Sequence, residues 1–183
     1  DPGELEEALL QACENADAVV TSGGVSVGVA DYTKQVMAKI GDVAFWSIRM
    51  RPGRPMAFGK IRSGGDYAFL FGLPGNPVAV MVSFYFFVRD ALLHMMGALP
   101  SPLLPVRAQA ATSLSKRVGR MEFQRGVLSQ NADGNLTVRT TGEQGSGILR
   151  SITEANGIIV LPEECETVRA GEWVDVIQLE GLT

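Results

Sequence analysis

The residues best suited to ligand chemistry follow a short apolar run, where residues 22–28 read Ser-Gly-Gly-Val-Ser-Val-Gly. A loop that only turns a corner needs one or two glycines, and this loop has more. Glycine lets a ligand approach the backbone closely, so we expect the N–H groups of this loop to face a ligand at the carboxyl end of a strand. The candidate ligand-binding residues are Ser22, Gly23, Gly24, Ser26 and Gly28. The alternative is a tight turn from strand to helix.

Asp31 stands just beyond the loop, in the first turn of the next predicted helix. A carboxylate there could bind magnesium or a ligand hydroxyl, or it could simply cap the helix. The loop is not a nucleotide-binding P-loop, because Val29 and Ala30 occupy the positions that need Lys and Ser or Thr. It also lacks the glycine order of a dinucleotide-binding fingerprint.

Three arginines, Arg49, Arg51 and Arg54, crowd into the segment "RMRPGRP". Its prolines stiffen the turn, and a fixed guanidinium fork suits bidentate binding of phosphate or another oxyanion. The alternative is an ordinary solvated basic turn.

The segment "GLPGNP" is predicted to end a buried strand and start a helix. Its candidate ligand-binding residues are Pro74, Gly75 and Asn76, with Asn76 as the helix cap and Pro77 in the first helical position. A helix start at the end of a strand is a ready anion site. We expect this loop and the glycine loop to share one sheet edge and to form, with the arginine turn, a pocket for a phosphorylated ligand.

The elements that must position these residues alternate between helix and strand over residues 1–99. Asp1, Pro2 and Gly3 predict a helix start, and several of the later strands are apolar on both faces. This pattern predicts an α/β three-layer domain with a mostly parallel sheet.

Residues 100–183 have a different texture. After a proline-rich linker, short alternating segments lie between Gly, Asn and Asp turns, with no helical periodicity of any length. These features predict a small all-β domain, as a barrel or a sandwich.

Composition narrows the possible partners. The chain has 183 residues, 46% of them hydrophobic and 20% charged, and its net charge of −4 argues against nucleic acid as the main partner. Its two cysteines and one histidine show no zinc-ligand spacing, and no signal peptide opens the chain, so we expect a cytoplasmic protein. The most apolar run, Val78 to Val88, is shorter than the roughly 20 residues of a membrane span, so no membrane partner is expected.

Five motifs in one order resemble the C-terminal portion of the molybdopterin molybdenumtransferases, the MoeA and gephyrin family. They read "SGGVSVG-x-ADY", "PGRP-x-AFG", "GLPGNPVAV", "GR-x-x-FQRG" and "QGSG". The resemblance implies a molybdopterin-binding domain followed by the family's C-terminal β domain. It also implies insertion of molybdate into adenylylated molybdopterin with release of AMP, aided by Mg²⁺, in a cytoplasmic homodimer.

The resemblance also assigns site residues. Asp1 and Asp31 match acidic residues of the family's functional set and are the expected catalytic and metal-binding carboxylates. Arg51 and Arg54 fall where the family usually has lysines, with Arg51 expected to be catalytic and Arg54 to bind the ligand. Ser47 falls where a lysine is often found, which removes one positive charge. Arg125 and Ser146 match β-domain positions implicated in activity.

Family members have further N-terminal regions that contribute to a site between subunits. We therefore expect this chain to be a fragment with little activity alone. Two other functions stay open. One is a non-catalytic molybdopterin-binding or scaffold module, and the other is a nucleotide pyrophosphatase of the related competence-damage family.

Overall fold

The computed structural model describes residues 1–25, 30–99, 102–142, 144–145 and 150–179, and of residues 30 and 31 it describes the backbone alone. The chain divides into two compact units. The first comprises Asp1–Ile48 and Gly53–Pro100, and the second comprises Arg49–Pro52 and Ser101–Thr183.

The helices and strands follow one another in an order that separates the two units almost completely. In chain order they are α1 (Pro2–Asn15), β1 (Ala18–Ser22), α2 (Ala30–Ile40), β2 (Gly41–Ser47), β3 (Met50–Arg51), β4 (Pro55–Ser63), β5 (Asp66–Leu73), α3 (Pro77–Ser83), a π-helical segment (Phe84–Val88), α4 (Arg89–Met95), β6 (Val106–Ala110), β7 (Met121–Gln130), β8 (Leu136–Thr140), α5 (Arg150–Thr153), β9 (Gly157–Leu161) and β10 (Trp173–Gln178). Strand β3 alone leaves the first half of the chain to join the second unit.

Helix α1 starts where the sequence predicts. The Asp1 carboxylate accepts a hydrogen bond from the Gly3 N–H at 2.7 Å, and Pro2 takes the first position, where a missing N–H costs nothing. Leu9 and Cys13, four residues apart on one helix face, are buried against the sheet.

The sheet of the first unit has the strand order β1-β5-β4-β2. Strands β1 and β5 are parallel, whereas β5 and β4, like β4 and β2, are antiparallel. Within the described residues the sheet is therefore mixed, with one parallel pair. The reason is local: a tight turn at Gly64 and Gly65 joins β4 to β5, and such a turn can connect only antiparallel strands.

Both faces of this sheet are covered, which makes the three layers. One face packs against α1 and α2, and the other packs against the helical segment of residues 77–95. The first core includes Leu9, Met37, Ile61 and Leu70. The second core includes Met56, Phe71, Leu73 and Val88. The α/β fold expected from the sequence is confirmed.

The apolar run of residues 78–88 is helical, as predicted. The whole segment Pro77–Met95 has a mean hydropathy of 1.5 and is the one described helix long and apolar enough to cross a membrane. Val78, Val82, Tyr85 and Val88 on this segment are buried inside the protein. A core helix passes the same length and composition test, so the segment is weak evidence for a membrane span.

The second unit is a closed barrel. Its strand order is β3-β7-β8-β6-β10-β9, and a further pairing of β7 with β9 closes the five strands other than β3. Ala108, Val138, Ile159 and Val176 fill the interior. The predicted all-β barrel is confirmed.

The predicted strand "VAFWSIRM" is divided between the two units. Strand β2 ends at Ser47, and β3 instead pairs in parallel with the start of β7. The Ile48 N–H donates to the Arg54 carbonyl at 2.8 Å, so the chain leaves and re-enters the first unit at adjacent points. Met50 on β3 is 3% exposed, and its burial favours the pairing of β3 with β7 in the second unit.

Candidate functional site

The two glycine turns meet at the carboxyl edge of the first unit's parallel strands. In the β1–β5 register Ser22 lies opposite Leu73, so both chains leave the sheet together. A Cβ atom on Gly75 would lie 3.4 Å from the Gly23 Cα, and the φ of Gly23 is +94°. The left-handed backbone of Gly23 favours glycine there, and the 3.4 Å distance is an ordinary contact that brings the two turns side by side. The expectation that both loops share one edge is confirmed.

Some of the predicted donors at this edge are already occupied. The Gly23 N–H donates to the Leu73 carbonyl at 3.0 Å. The side-chain oxygen of Asn76 accepts from the N–H groups of Val78 and Ala79 at 3.0 and 3.2 Å. Asn76 is therefore the predicted helix cap, and its side chain satisfies two N–H groups of the first turn. The anion site expected at this helix start stays a prediction.

Two main-chain donors at the same edge remain without an acceptor among the described residues, the N–H groups of Gly24 and Gly75. Gly24 also has a left-handed backbone, and a Cβ atom there would lie 2.8 Å from the Thr33 hydroxyl oxygen on α2. Ser22 is exposed beside them, whereas Pro74 is buried. We call this edge, formed by Ser22–Gly24 and Leu73–Asn76, the rim of the first unit. It keeps two main-chain donors, the N–H groups of Gly24 and Gly75, and Gly24 lies against α2.

For three of the predicted ligand-binding or metal-binding residues the structure describes no side chain. Ser26 and Gly28 lie outside the described residues, and for Asp31 the structure gives only its backbone, in the first turn of α2. Their assignments stay predictions.

The expected magnesium site receives no support from the described residues. No group of three or more His, Cys, Asp or Glu side chains lies close enough there to hold a metal ion. The Asp1 carboxylate accepts a hydrogen bond from the Gly3 N–H and so caps α1. Asp1 therefore has a structural task.

Arg54 of the first unit is oriented by Ser47. Its Nε donates to the Ser47 hydroxyl at 2.9 Å, across the paired ends of β2 and β4. Both residues are exposed, so the guanidinium NH₂ groups can reach solvent or a ligand. Ser47 therefore fixes the position of the Arg54 charge.

Arg51 lies in the second unit, because β3 pairs with β7 and sets Arg51 opposite Glu122. Its NH1 atom lies 3.9 Å from a Glu122 carboxylate oxygen, and its side chain is 62% exposed. The residue lines a cavity of about 570 Å³ together with Lys116, Arg117, Glu122 and Gln124. This cavity contains a predicted site residue and a surplus of positive charge.

Arg125 does not reach out as a free oxyanion ligand. It is 2% exposed, and its guanidinium donates to the Ser151 hydroxyl at 3.0 Å and to the carbonyls of Gln144 and Gly145 at 3.4 and 3.0 Å. Burial lowers the pKa of Arg125, and the nearby Glu122 charge partly opposes that shift. The guanidinium therefore fixes the segment that contains Gln144 and Gly145.

Gln144 completes this attachment from the other side. Its side-chain amide accepts from the Arg125 N–H at 2.8 Å and donates to the Arg125 carbonyl at 3.3 Å. Each residue therefore binds the backbone of the other. Ser146, predicted to be catalytic, follows in the sequence and lies outside the described residues, so its role stays a prediction.

Sequence reasoning missed Glu122 and Gln124 as cavity residues. Glu122 is 8% exposed and accepts a hydrogen bond from Gln124 Nε2 at 2.9 Å, and the same nitrogen donates to the Ser115 carbonyl at 2.8 Å. Two polar residues at alternate positions of a predicted strand share one face. The i, i+2 spacing of Glu122 and Gln124 on a predicted strand therefore indicates a shared polar face.

Comparisons with known proteins agree with this architecture in both units. Residues 1–94 match the family model described as a probable molybdopterin binding domain, and residues 107–179 match that of the MoeA C-terminal region, domain IV. The chain belongs to the molybdopterin molybdenumtransferase family. The resemblance inferred from the five motifs is thereby confirmed.

Individual relatives give the extent of the likeness. The chain is 43% identical over 174 residues to the molybdopterin molybdenumtransferase of Haemophilus influenzae, covering 94% of this chain and 42% of the relative. It is 31% identical to gephyrin of Dictyostelium discoideum, covering 94% of this chain and 27% of that protein. The chain thus spans less than half the length of these two relatives.

Solved structures show the same fold. A molybdopterin biosynthesis MoeA protein from Pyrococcus horikoshii has a TM-score of 0.75 at 27% identity, over 99% of this chain and 42% of the other. A molybdenum cofactor biosynthesis protein from Pyrococcus furiosus has a TM-score of 0.68 at 30% identity, over 96% of this chain and 54% of the other.

Proposed function

We propose that this chain binds adenylylated molybdopterin and takes part in inserting molybdate into its dithiolene, with release of AMP. The observation that carries the proposal is the meeting of the two glycine turns at the carboxyl ends of β1 and β5, where the Gly23 N–H donates to the Leu73 carbonyl. Open α/β sheets bind ligands at this edge. The glycines there belong to the region that matches molybdopterin binding domains.

Positioning and electrostatics would carry the catalysis. Molybdate is a dianion and the organic substrate carries phosphates, so the protein must supply donors and positive charge. Within the first unit, the N–H groups of Gly24 and Gly75 supply the first, and the guanidinium group of Arg54 supplies the second. Cys13 takes no part in this proposal, because it is buried on the inner face of α1 and its thiol donates to the Ile61 carbonyl.

A binding titration tests the proposal on the chain itself. Isothermal titration calorimetry should show tighter binding of adenylylated molybdopterin than of molybdopterin. Gly75→Val, which places a side chain against Gly23, should abolish the preference. Gly65→Val is the matched control, because no atom lies within 4 Å of a Cβ there. Equal binding of the two pterins by the unaltered chain would contradict the proposal.

Turnover is tested in the full-length protein that contains this chain. We propose that this protein is a cytoplasmic homodimer and that Asp31 and Ser146 act in its site. Asp31→Asn should abolish cofactor synthesis in a complementation assay without lowering the thermal midpoint. Full activity of that variant would remove Asp31 from the mechanism.

A non-catalytic pterin-binding or scaffold module is the second proposal. It is favoured by Arg125, whose guanidinium contacts the protein's own loop, and by Ser47, which lacks the charge of a lysine. Such a module would bind both pterins alike and would release no AMP. The match of residues 107–179 argues against the pyrophosphatase alternative.

A further inference from the structure

Glu122 carries the only carboxylate among the described residues that line the cavity of about 570 Å³, which we call the Arg51 cavity. The other charged lining residues, Lys116 and Arg117, are cations like Arg51. A carboxylate repels an anionic ligand, so Glu122 needs another task in this cavity. We propose that Glu122 is a positioning residue, which orients the Arg51 guanidinium toward the cavity without contacting the ligand itself. The inference rests on the proposed function, whose oxyanions Arg51 would bind.

The strand pairing places Glu122 beside Arg51. Strands β3 and β7 are parallel, and Arg51 lies opposite Glu122 in their register. The Glu122 Oε2 atom lies 3.9 Å from Arg51 Nη1, whereas Arg107 and Asp175 of the same unit are 3.1 Å apart. At the longer distance the carboxylate attracts the guanidinium without taking up its N–H donors. Arg51, which is 62% exposed, therefore keeps those donors for a ligand.

The Glu122 carboxylate is itself held by a buried amide. Its other oxygen, Oε1, accepts a hydrogen bond from Gln124 Nε2 at 2.9 Å, and the same nitrogen donates to the Ser115 carbonyl at 2.8 Å. Gln124 is 2% exposed, and a buried amide with both of its N–H groups donated has little freedom to rotate. The two oxygens of Glu122 thus have separate tasks, because Oε1 anchors the carboxylate and Oε2 faces Arg51.

The Glu122 charge also acts on Arg125, the second arginine that the resemblance assigns to activity. Burial lowers the pKa of Arg125, and the Glu122 charge opposes that lowering. Arg125 donates to the carbonyls of Gln144 and Gly145, which also line the Arg51 cavity. One carboxylate therefore acts on a cation that faces the cavity and on a cation that holds part of its wall.

A double-mutant cycle on the full chain tests the inference, with molybdate as the probe and calorimetry as the measurement. Arg51→Ala should weaken molybdate binding roughly fivefold in the unaltered chain. In the Glu122→Gln background the same change should weaken it by no more than about twofold, because Arg51 is no longer oriented there. Glu122→Gln keeps an oxygen that can accept from Gln124, so the buried hydrogen bond is preserved.

Two further variants make the cycle specific. Gln124→Met keeps the Glu122 charge but removes the amide that holds the carboxylate, so it should also reduce the effect of Arg51→Ala. Arg117→Ala is the matched control, because Arg117 lines the same cavity and forms no ion pair with Glu122 in the described ranges of the chain. It should weaken binding by the same factor with and without Glu122→Gln. Thermal midpoints check that each variant is folded, and either Glu122→Gln or Gln124→Met suffices for the cycle.

Three outcomes would overturn the inference. An equal loss from Arg51→Ala in both backgrounds would mean that Glu122 acts by charge alone or contacts the ligand itself. Coupling of the same size with Arg117→Ala would mean that the effect is not specific to Arg51. A chain that binds no molybdate, or whose binding Arg51→Ala leaves unchanged, would remove Arg51 as an oxyanion ligand.

The proposed function has a separate measurement, the preference for adenylylated molybdopterin over molybdopterin. Coupling between Arg51 and Glu122 without that preference would contradict the proposed function and leave the positioning role of Glu122 supported. The preference together with an additive cycle would contradict the positioning role alone.

Discussion

The rim of the first unit and the Arg51 cavity of the second unit offer an anion two different kinds of partner. The rim offers main-chain donors, and the protein occupies one of them at Gly23 and caps the neighbouring helix with Asn76. The Arg51 cavity offers side-chain cations, and Arg117, which also lines it, has no ion-pair partner among the described residues. In the backbone site most donors already have protein acceptors, whereas the side-chain site keeps positive charge that no carboxylate neutralises.

The difference shows why one arginine cannot stand for another. Arg125 and Arg51 lie in the same unit, yet Arg125 is buried and hydrogen-bonded to protein carbonyls, while Arg51 is mostly exposed. A buried guanidinium is tolerated only when its donors are satisfied. Such a residue acts on the site through the loop that it holds.

The largest expected effect is that of Arg125→Ala. The substitution removes a buried group that donates to Ser151, Gln144 and Gly145, so the free energy of unfolding should fall by about 2–4 kcal/mol. Urea denaturation measures the change. Arg139→Ala, at an exposed position on β8, is the control and should change stability by less than about 0.5 kcal/mol.

The same pair of variants can break the comparison between the two kinds of arginine. If Arg125 were a direct oxyanion ligand, Arg125→Ala would weaken ligand binding and leave stability near that of Arg139→Ala. Coupling with Gln144→Ala gives a second check. Because Arg125 and Gln144 bind each other's backbone, the double variant should lose less stability than the sum, by about 1 kcal/mol.

The next effect concerns the rim. Gly24→Ala forces a left-handed backbone on alanine and brings a Cβ to 2.8 Å from the Thr33 hydroxyl oxygen, so stability should fall by roughly 2 kcal/mol or more. Gly64→Ala has the same sign of φ but no atom within 4 Å, and should cost only about 1 kcal/mol. Equal losses would mean that Thr33 moves aside and that the rim is less tightly held.

The sequence predicted much of this architecture because the signals were local. Glycine spacing, helix caps and alternation identified the α/β region, the barrel and the shared edge of the two loops. The apolar strands suggested a mostly parallel sheet, but the short Gly64–Gly65 turn makes β4 and β5 antiparallel. A glycine pair between two strands is a hairpin signal in the sequence itself, and a hairpin requires that its two strands be antiparallel.

The state of the site could not be predicted in the same way, because hydrogen-bond partners distant in sequence decide it. Arg125 binds Ser151, which lies 26 residues away in the sequence. Arg49, which like Arg51 belongs to the second unit, pairs with Glu163 at a separation of 114 residues. No local pattern indicates whether a guanidinium meets a protein carbonyl or solvent. Burial and pairing of charged groups are properties of the folded chain.

A smaller effect separates the two tasks given to Asp1. Asp1→Ala removes the helix cap and should lower the free energy of unfolding by about 1 kcal/mol, whereas Asp1→Asn keeps a capping oxygen and should be nearly neutral. Thermal unfolding with and without Mg²⁺ measures both. A metal ligand would show the reverse signature: Asp1→Asn would remove a stabilisation that depends on magnesium.

The smallest expected effect tests whether charge or orientation limits the rim. Ser47→Ala frees Arg54 from its hydrogen bond, and because both groups are exposed, molybdate affinity should fall by no more than about twofold. Ser47→Lys also removes the hydroxyl but restores a positive charge, so affinity should rise roughly two- to fivefold at low salt and less at high salt. Ser129→Lys adds the same charge to the exposed end of β7 and serves as the control. A loss of affinity in Ser47→Lys would mean that the orientation of Arg54 matters more for molybdate binding than the added charge. The rim would then resemble the Arg51 cavity in depending on a fixed guanidinium group.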